Sequence, residues 1–183
     1  QNMEAVDVVG TEEVVAADQS GQLYISSDAG ESWQASGTPA AGLDEARDIH
    51  FSSLQEGWIT GEGDMDATLH RTTDGGISWT PVPGFGGSYP AVDQKGDFVW
   101  VAAIPGRYYR STDGGISWEQ GQLPGGSLII TEMEFYDEST GYAIGWFGYV
   151  ARSSDGGESW QVMEMPDTDE RFIDMHLLGP DEL

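Results

Sequence analysis

Three of the six arginines in this chain, Arg71, Arg110 and Arg152, stand directly before near-copies of one segment: TTDGGISW at Thr72–Trp79, STDGGISW at Ser111–Trp118 and SSDGGESW at Ser153–Trp160. Guanidinium groups recurring at one place in a repeated unit would focus positive potential on an otherwise acidic body, which suits them to binding carboxylates of a partner. The plainer account is that each pairs with a nearby carboxylate or stacks on an aromatic ring. A second recurring position holds Asp7, His50, Glu134 and His176. Two histidines and two carboxylates offer metal-ligand chemistry, although polar packing repeated by duplication predicts the same pattern. In the insert GEGDMDA, Glu62, Asp64 and Asp66 alternate as calcium ligands can, without the spaced loop and terminal bidentate glutamate of an EF-hand. The acidic run Asp167, Asp169 and Glu170 has the same standing. No metal and no cofactor is therefore expected.

Glycoside hydrolysis needs two carboxylates at a defined separation across a sugar. With 32 acidic residues the chain supplies many pairs, and the sequence singles out none. It contains no serine nucleophile elbow, phosphate-binding glycine loop or zinc-protease motif, so no catalytic residue is assigned.

The elements that must position these side chains follow from the repeat. A fourth copy, SSDAGESW at Ser26–Trp33, precedes the other three, and the aspartates Asp28, Asp74, Asp113 and Asp155 lie 46, 39 and 42 residues apart. That period fits one four-stranded propeller blade. Each copy reads as a hairpin device: Ser26, Thr72, Ser111 or Ser153 ends a strand, and the aspartate accepts turn amides. Gly30, Gly76, Gly115 or Gly157 takes a positive φ, and Trp33, Trp79, Trp118 or Trp160 opens the return strand and wedges against a neighbouring sheet.

The remaining strands align by the same count. Glu4–Val9 is the opening first strand, Phe51 and Phe135 end first strands, and GWITG at Gly57–Gly61 matches GYAIG at Gly141–Gly145 as the second. Val14–Ala17 and Val99–Ala103 take that second place in blades one and three, and LYIS, LHRT, YYRS and VARS are third strands. Trp58, Trp100 and Tyr142 occupy equivalent second-strand sites. Pro39, Pro83, Pro124 and Pro166 follow, where ladder pairing should stop. Blade one departs at Asp18 and Ile25, and blade three lacks the first-strand phenylalanine in SYPAVDQKG. No helical periodicity is present, so the fold is read as all-β: a β-propeller of four-stranded antiparallel blades at about 1–39, 40–83, 84–124 and 125–166. Residues 167–183 then start a fifth blade, because DMHL at Asp174–Leu177 aligns with DIHF at Asp48–Phe51.

The pattern S/T-x-D-x-G-x-x-W resembles the Asp-box of bacterial neuraminidase repeats. The fuller pattern, F-x5-G-W/Y-x-x-G followed by R-S/T-x-D-G-G-x-S-W, resembles the photosystem II stability/assembly factor-like family. That resemblance implies six or seven blades, so the chain is expected to be part of a larger ring. A closed four-bladed body and closure between chains are the alternatives. It also implies a non-enzymatic assembly role, with Arg71, Arg110 and Arg152 at the arginine that precedes the box in that family, where arginine-rich surface is linked to client binding. The sialidase arginine triad comes from other blade positions, which these residues do not match.

Composition narrows the function classes. A net charge of −25 repels duplex nucleic acid and anionic membrane over most of the molecule. One lysine among seven basic residues fits a halophilic or marine source, or simply an acidic secreted protein. No apolar run approaches a membrane span, there is no cysteine, and Gln1 in place of an initiator Met leans toward export. The reading is an extracytoplasmic, non-enzymatic scaffold for a protein or glycan partner. A secreted sialidase-like or xyloglucanase-like hydrolase, and a structural subunit of an extracellular assembly, are its rivals.

Overall fold

The computed structural model describes residues 2–63, 68–125, 128–163 and 171–179. The described residues form sixteen strands and no helix. They form four antiparallel meanders of four strands, the blades of a β-propeller fold. Two compact units, Gln1–Tyr89 and Pro90–Leu183, each hold two blades.

In the first unit, blade one is β1 (Met3–Val8), β2 (Val14–Asp18), β3 (Leu23–Ser26) and β4 (Gln34–Ser36). Blade two is β5 (Leu43–Phe51), β6 (Gly57–Gly63), β7 (Leu69–Thr72) and β8 (Thr80–Pro81). In the second unit, blade three is β9 (Ala91–Lys95), β10 (Phe98–Ala103), β11 (Arg107–Ser111) and β12 (Glu119–Gln122), and blade four is β13 (Ile130–Phe135), β14 (Gly141–Gly145), β15 (Val150–Ser153) and β16 (Gln161–Val162). The fourth strands start one residue after the box tryptophan, so the tryptophan closes the turn and does not open the ladder.

Register explains the F-x5-G spacing. Phe51 stands opposite Gly57 and Phe135 opposite Gly141 in their ladders. The phenyl rings lie over those glycines: a Cβ would fall 2.7 Å from the ring of Phe51 at Gly57 and 2.4 Å from that of Phe135 at Gly141. Where the phenylalanine is absent the glycine is absent too, since Val8 faces Val14 and Gln94 faces Val99 at the same register. The second glycine of each pattern admits the first strand of its own blade, because a Cβ at Gly61 would meet the Glu45 carbonyl at 2.1 Å and one at Gly145 the Ile129 carbonyl at 2.4 Å. Asp18, which replaces that glycine in blade one, is buried and ties its own hairpin, accepting the Ser20 amide at 2.9 Å and the Gln22 amide at 3.1 Å.

The second strands are buried on both faces, as inner strands must be when sheets pack face to face. In the second unit Trp100 stacks on Phe135 of the next blade at 3.6 Å between centroids, and its indole N–H donates to the Gly156 carbonyl at 2.8 Å. Phe135 is closed from its other side by Trp160, edge-on at 5.7 Å. Burying a ring of this kind contributes about 2–3 kcal/mol. In the first unit Phe51 meets Trp79 in the same way, edge-on at 6.2 Å, within a core of Val15, Leu23, Ile49 and Ile59.

Residues 171–179 form no named strand, yet they dock on blade four. Phe172 donates its amide to the Gly145 carbonyl at 3.2 Å, and Leu177 packs with Tyr142, Ile144 and Val150. Pro166, Asp167, Asp169 and Glu170 lie outside the described residues.

Candidate functional site

The four boxes share one hydrogen-bond pattern. The hydroxyl of Ser26, Thr72, Ser111 or Ser153 accepts the amide of the box glycine at 2.8–2.9 Å and donates to the aspartate at 2.7–2.9 Å. The same aspartate takes the amide and hydroxyl of the serine four residues on, as Asp113 does from Ser117 at 2.9 and 2.6 Å. Acceptance from the Ser32 and Ser117 hydroxyls first, then from their amides, holds Asp28 and Asp113 down at about 2. Asp74 is lowered chiefly by the Ser78 hydroxyl, and in Asp155 burial pulls upward but the hydrogen bonds from Ser159 and Ser153 together outweigh it. These carboxylates are ionised and committed to their turns. The turn needs two consecutive left-handed residues, supplied as glycine pairs at 75–76, 114–115 and 156–157. In blade one Ala29 takes the first of those places at φ 56°. Trp33 donates its indole N–H to the Gly30 carbonyl at 3.0 Å.

The arginine row lies on the third strands, each member opposite a second-strand aromatic. Arg71 sits 5.3 Å over Trp58 with Glu56 at 3.7 Å. Arg152 sits over Tyr142 at 5.9 Å and donates from Nε to its hydroxyl at 3.1 Å. Arg110 covers Phe98 at 5.8 Å, not Trp100, and is clamped by Glu119 at 3.4 Å and by Glu158 of the next blade at 3.1 Å, leaving its side chain 11% exposed. Arg71 belongs to the first unit and the other two to the second.

The first-strand row is where the structure adds most. Asp7 accepts the amide of Phe51 in blade two at 2.6 Å, with His50 Nδ1 at 3.7 Å. In the second unit Asp93 accepts the amide of Phe135 at 2.6 Å, and Glu134 that of Leu177 at 3.2 Å with His176 Nδ1 at 3.6 Å. Asp7 and Asp93 thus each cap the first strand of the next blade, and Glu134 caps the segment that docks on blade four. Asp93 completes the row: it pairs with Trp100 as His50 pairs with Trp58 and Glu134 with Tyr142. Its place in the row is masked in the sequence because blade three has Gln94 where its neighbours have phenylalanine, and the period of about 42 residues back from Glu134 is the signal that carries it. Burial first, and then the charge of Asp93, raise the proton affinity of Glu134 above the ordinary carboxylate range. Among the described residues no group of three or more His, Asp or Glu side chains is arranged to hold a metal.

Glu62 is taken up by Arg47 at 3.0 Å and the Ser88 hydroxyl at 3.0 Å, on the rim of an open cavity of about 490 Å³ that Asp44 and Glu45 also line. Asp64 and Asp66 lie outside the described residues.

One further feature was not evident from the motifs. The hairpin between β14 and β15 carries Phe147 at φ 60°, 71% exposed, beside Trp146, whose ring is covered by the Arg171 guanidinium at 3.8 Å. Phe147 and Gly148, at φ 67°, are the two left-handed residues of a tight hairpin turn in which the Tyr149 amide donates to the Trp146 carbonyl at 3.3 Å, and a bulky residue in such a place costs on the order of 1–3 kcal/mol.

Compared with known proteins, residues 109–120 match the BNR/Asp-box repeat model, and all four boxes share the geometry of that match. No curated protein matches the chain. Among solved structures, an ancestral GH74 enzyme superposes with a TM-score of 0.73 at 22% identity over 90% of this chain, which spans 24% of that enzyme. YCF48 from Cyanidioschyzon merolae gives 0.64 at 18% identity, covering 92% of this chain and 57% of that one. A structure of YCF48 bound to D1 peptide gives 0.55 at 16% identity, covering 98% and 88%. The chain carries Asp-box repeats and shares the propeller fold of both groups.

Proposed function

We propose that this Asp-box propeller chain is a non-enzymatic binding or assembly scaffold acting outside the cytoplasm, with an extended protein segment or a glycan as its partner. The observation that carries the reading is the Phe147 hairpin, where a strained, exposed aromatic adjoins the Trp146–Arg171 stack. Aromatic groups on the hairpin, with an arginine stacked on them from the 171–179 segment, are the residue types that dominate recognition surfaces. The recurring carboxylates, by contrast, are used in turns and edge caps, and Arg110 is held by two glutamates. Arg71, about one-third exposed, is more open than Arg110 and can contribute to binding. Peptide binding by YCF48 is consistent with a peptide-like partner.

The likeness to a GH74 enzyme and the carboxylate-lined cavity at Asp44, Glu45 and Glu62 favour a second reading, part of a secreted hydrolase of xyloglucanase or sialidase type. One experiment separates them. The chain is titrated against an arrayed panel of peptides and oligosaccharides, and xyloglucan and sialyl-oligosaccharides are tested for cleavage. The scaffold reading expects binding that Phe147→Asn weakens about tenfold or more, with no turnover. Cleavage abolished by Glu62→Gln would establish the hydrolase reading instead, and binding indifferent to Phe147 would remove the hairpin from the site.

A further inference from the structure

The chain holds three Asp–Gly bonds, Asp74–Gly75, Asp113–Gly114 and Asp155–Gly156, and each is the turn of an Asp-box. In a loose peptide this pair reacts with itself. The glycine amide nitrogen, unhindered by a Cβ, attacks the aspartate carboxyl carbon; a C–N bond forms, a carboxyl oxygen leaves as water, and a succinimide ring results. Water then opens either carbonyl of the ring, returning aspartate or giving isoaspartate, whose main chain runs through the former side-chain methylene. The fold imposes the glycine. The residue after the aspartate is left-handed in all three boxes, at φ 69–73°. A Cβ at Gly75 would also fall 2.8 Å from the Leu54 carbonyl, and one at Gly156 2.7 Å from that of Glu138. A labile dipeptide therefore stands where each of these blades closes its turn.

Both reacting groups are withheld in the folded chain. The Gly75 amide donates to the Gln55 carbonyl at 2.9 Å, Gly114 to Asp97 at 2.8 Å and Gly156 to Ser139 at 2.8 Å. Each of these carbonyls lies in the loop between the first and second strands of the same blade. The carboxyl groups are tied as firmly, with three or more hydrogen bonds apiece. Asp113 takes the Ser111 hydroxyl at 2.8 Å and the Ser117 amide and hydroxyl at 2.9 and 2.6 Å. Those bonds, the Ser117 hydroxyl first, also hold it ionised, and a carboxylate is a poorer electrophile than a carboxylic acid. Every tie in this set stays inside one blade. Blade one has the same tie, from the Ala29 amide to the Glu12 carbonyl at 2.8 Å, but there the methyl group of Ala29 hinders the attacking nitrogen.

We propose that the three Asp–Gly bonds are latent modification sites, inert while a box is docked on the loop between its blade's first two strands and converting to isoaspartate once that box lifts away. Conversion then prevents redocking, because the added main-chain methylene moves the carboxyl group out of reach of the serine four residues on. The modification stands apart from the binding role proposed above, and it records which blades have opened.

The test is peptide mapping of isoaspartate, by enzymatic methylation and mass spectrometry, on the 183-residue chain incubated at neutral pH both folded and in unfolding urea. In urea all three bonds should convert at the rate of short Asp–Gly peptides, and in the folded chain each should be slower by about tenfold or more, following the fraction of time its box stands open. Ser117→Ala removes one hydroxyl from Asp113 and should raise folded-state conversion there about threefold or more, with Asp74 and Asp155 unchanged. Ala29→Gly should create a fourth converting site in urea and none in the folded chain. Folded-state conversion at any of the three bonds within about threefold of the urea rate would overturn the proposal. So would a Ser117→Ala effect that is absent at Asp113, or one shared equally by all three boxes, which would place the protection in global stability.

Discussion

Replacing Asp93 by alanine should be among the most damaging single changes in the second unit. Asp93 is 4% exposed and accepts the Phe135 amide at 2.6 Å and the Gln94 amide at 2.7 Å, with Lys95 Nζ at 3.0 Å. Hydrogen bonds to a charged group contribute about 1.5–3 kcal/mol each, and a buried donor left without an acceptor costs about 1–3 kcal/mol. Two amides are affected, and the Phe135 one is buried beneath the Trp100 stack. Part of the loss is offset, because Glu134 is relieved of a neighbouring negative charge. The net expectation is about 3–4 kcal/mol, which for a chain of this length lowers Tm by roughly 10 °C. Asp93→Asn keeps one acceptor and should cost about half as much. Asp7→Ala removes the matching cap in the first unit from a side chain that is 21% exposed, and should cost about 1–2 kcal/mol. Urea and thermal unfolding followed by tryptophan fluorescence measure these differences, and hydrogen exchange at the Phe135 amide localises them. If Asp93→Ala costs under about 1 kcal/mol, or no more than Glu119→Ala on the surface, the edge cap is not what holds the blades together.

The box carboxylates predict acid sensitivity. Asp28 and Asp113 are held at about 2 against an ordinary 3.8, so their stabilisation is complete above the ordinary value and is lost as pH falls from about 5 toward 2. Asp113→Asn should flatten an acid-unfolding curve over that range. His70 acts at higher pH: it is fully buried, with Nε2 on the Ala41 carbonyl at 2.9 Å, and burial lowers its proton affinity below the ordinary 6.5. The unfolded chain then binds a proton that the folded chain resists, so stability present above 6.5 declines as pH falls below it, and His70→Leu should remove that slope from melting temperatures taken between pH 5 and 7. Ala29→Gly places glycine at a left-handed position where the other three boxes already have it, and should raise stability by about 0.5–1 kcal/mol in urea unfolding.

The blade was legible in the amino-acid sequence, since a blade is built from local rules. A Ser or Thr, an Asp, a Gly and a Trp at fixed offsets close one turn with their own hydrogen bonds, and four copies about 42 residues apart define four meanders without reference to anything distant. Even the F-x5-G spacing is local, a ring lying over the glycine across a hairpin. Tertiary structure decided what each recurring polar residue does, because that depends on the neighbouring blade. The arginines share one register, yet Arg110 is clamped by a glutamate of the next box while Arg71 stays partly exposed. Asp93 belongs to the first-strand row through an amide 42 residues away, that of Phe135 in the next blade. Phe147 had no motif to announce it, for the left-handed backbone and the covering Arg171 arise from a hairpin and a segment that meet only in the folded chain.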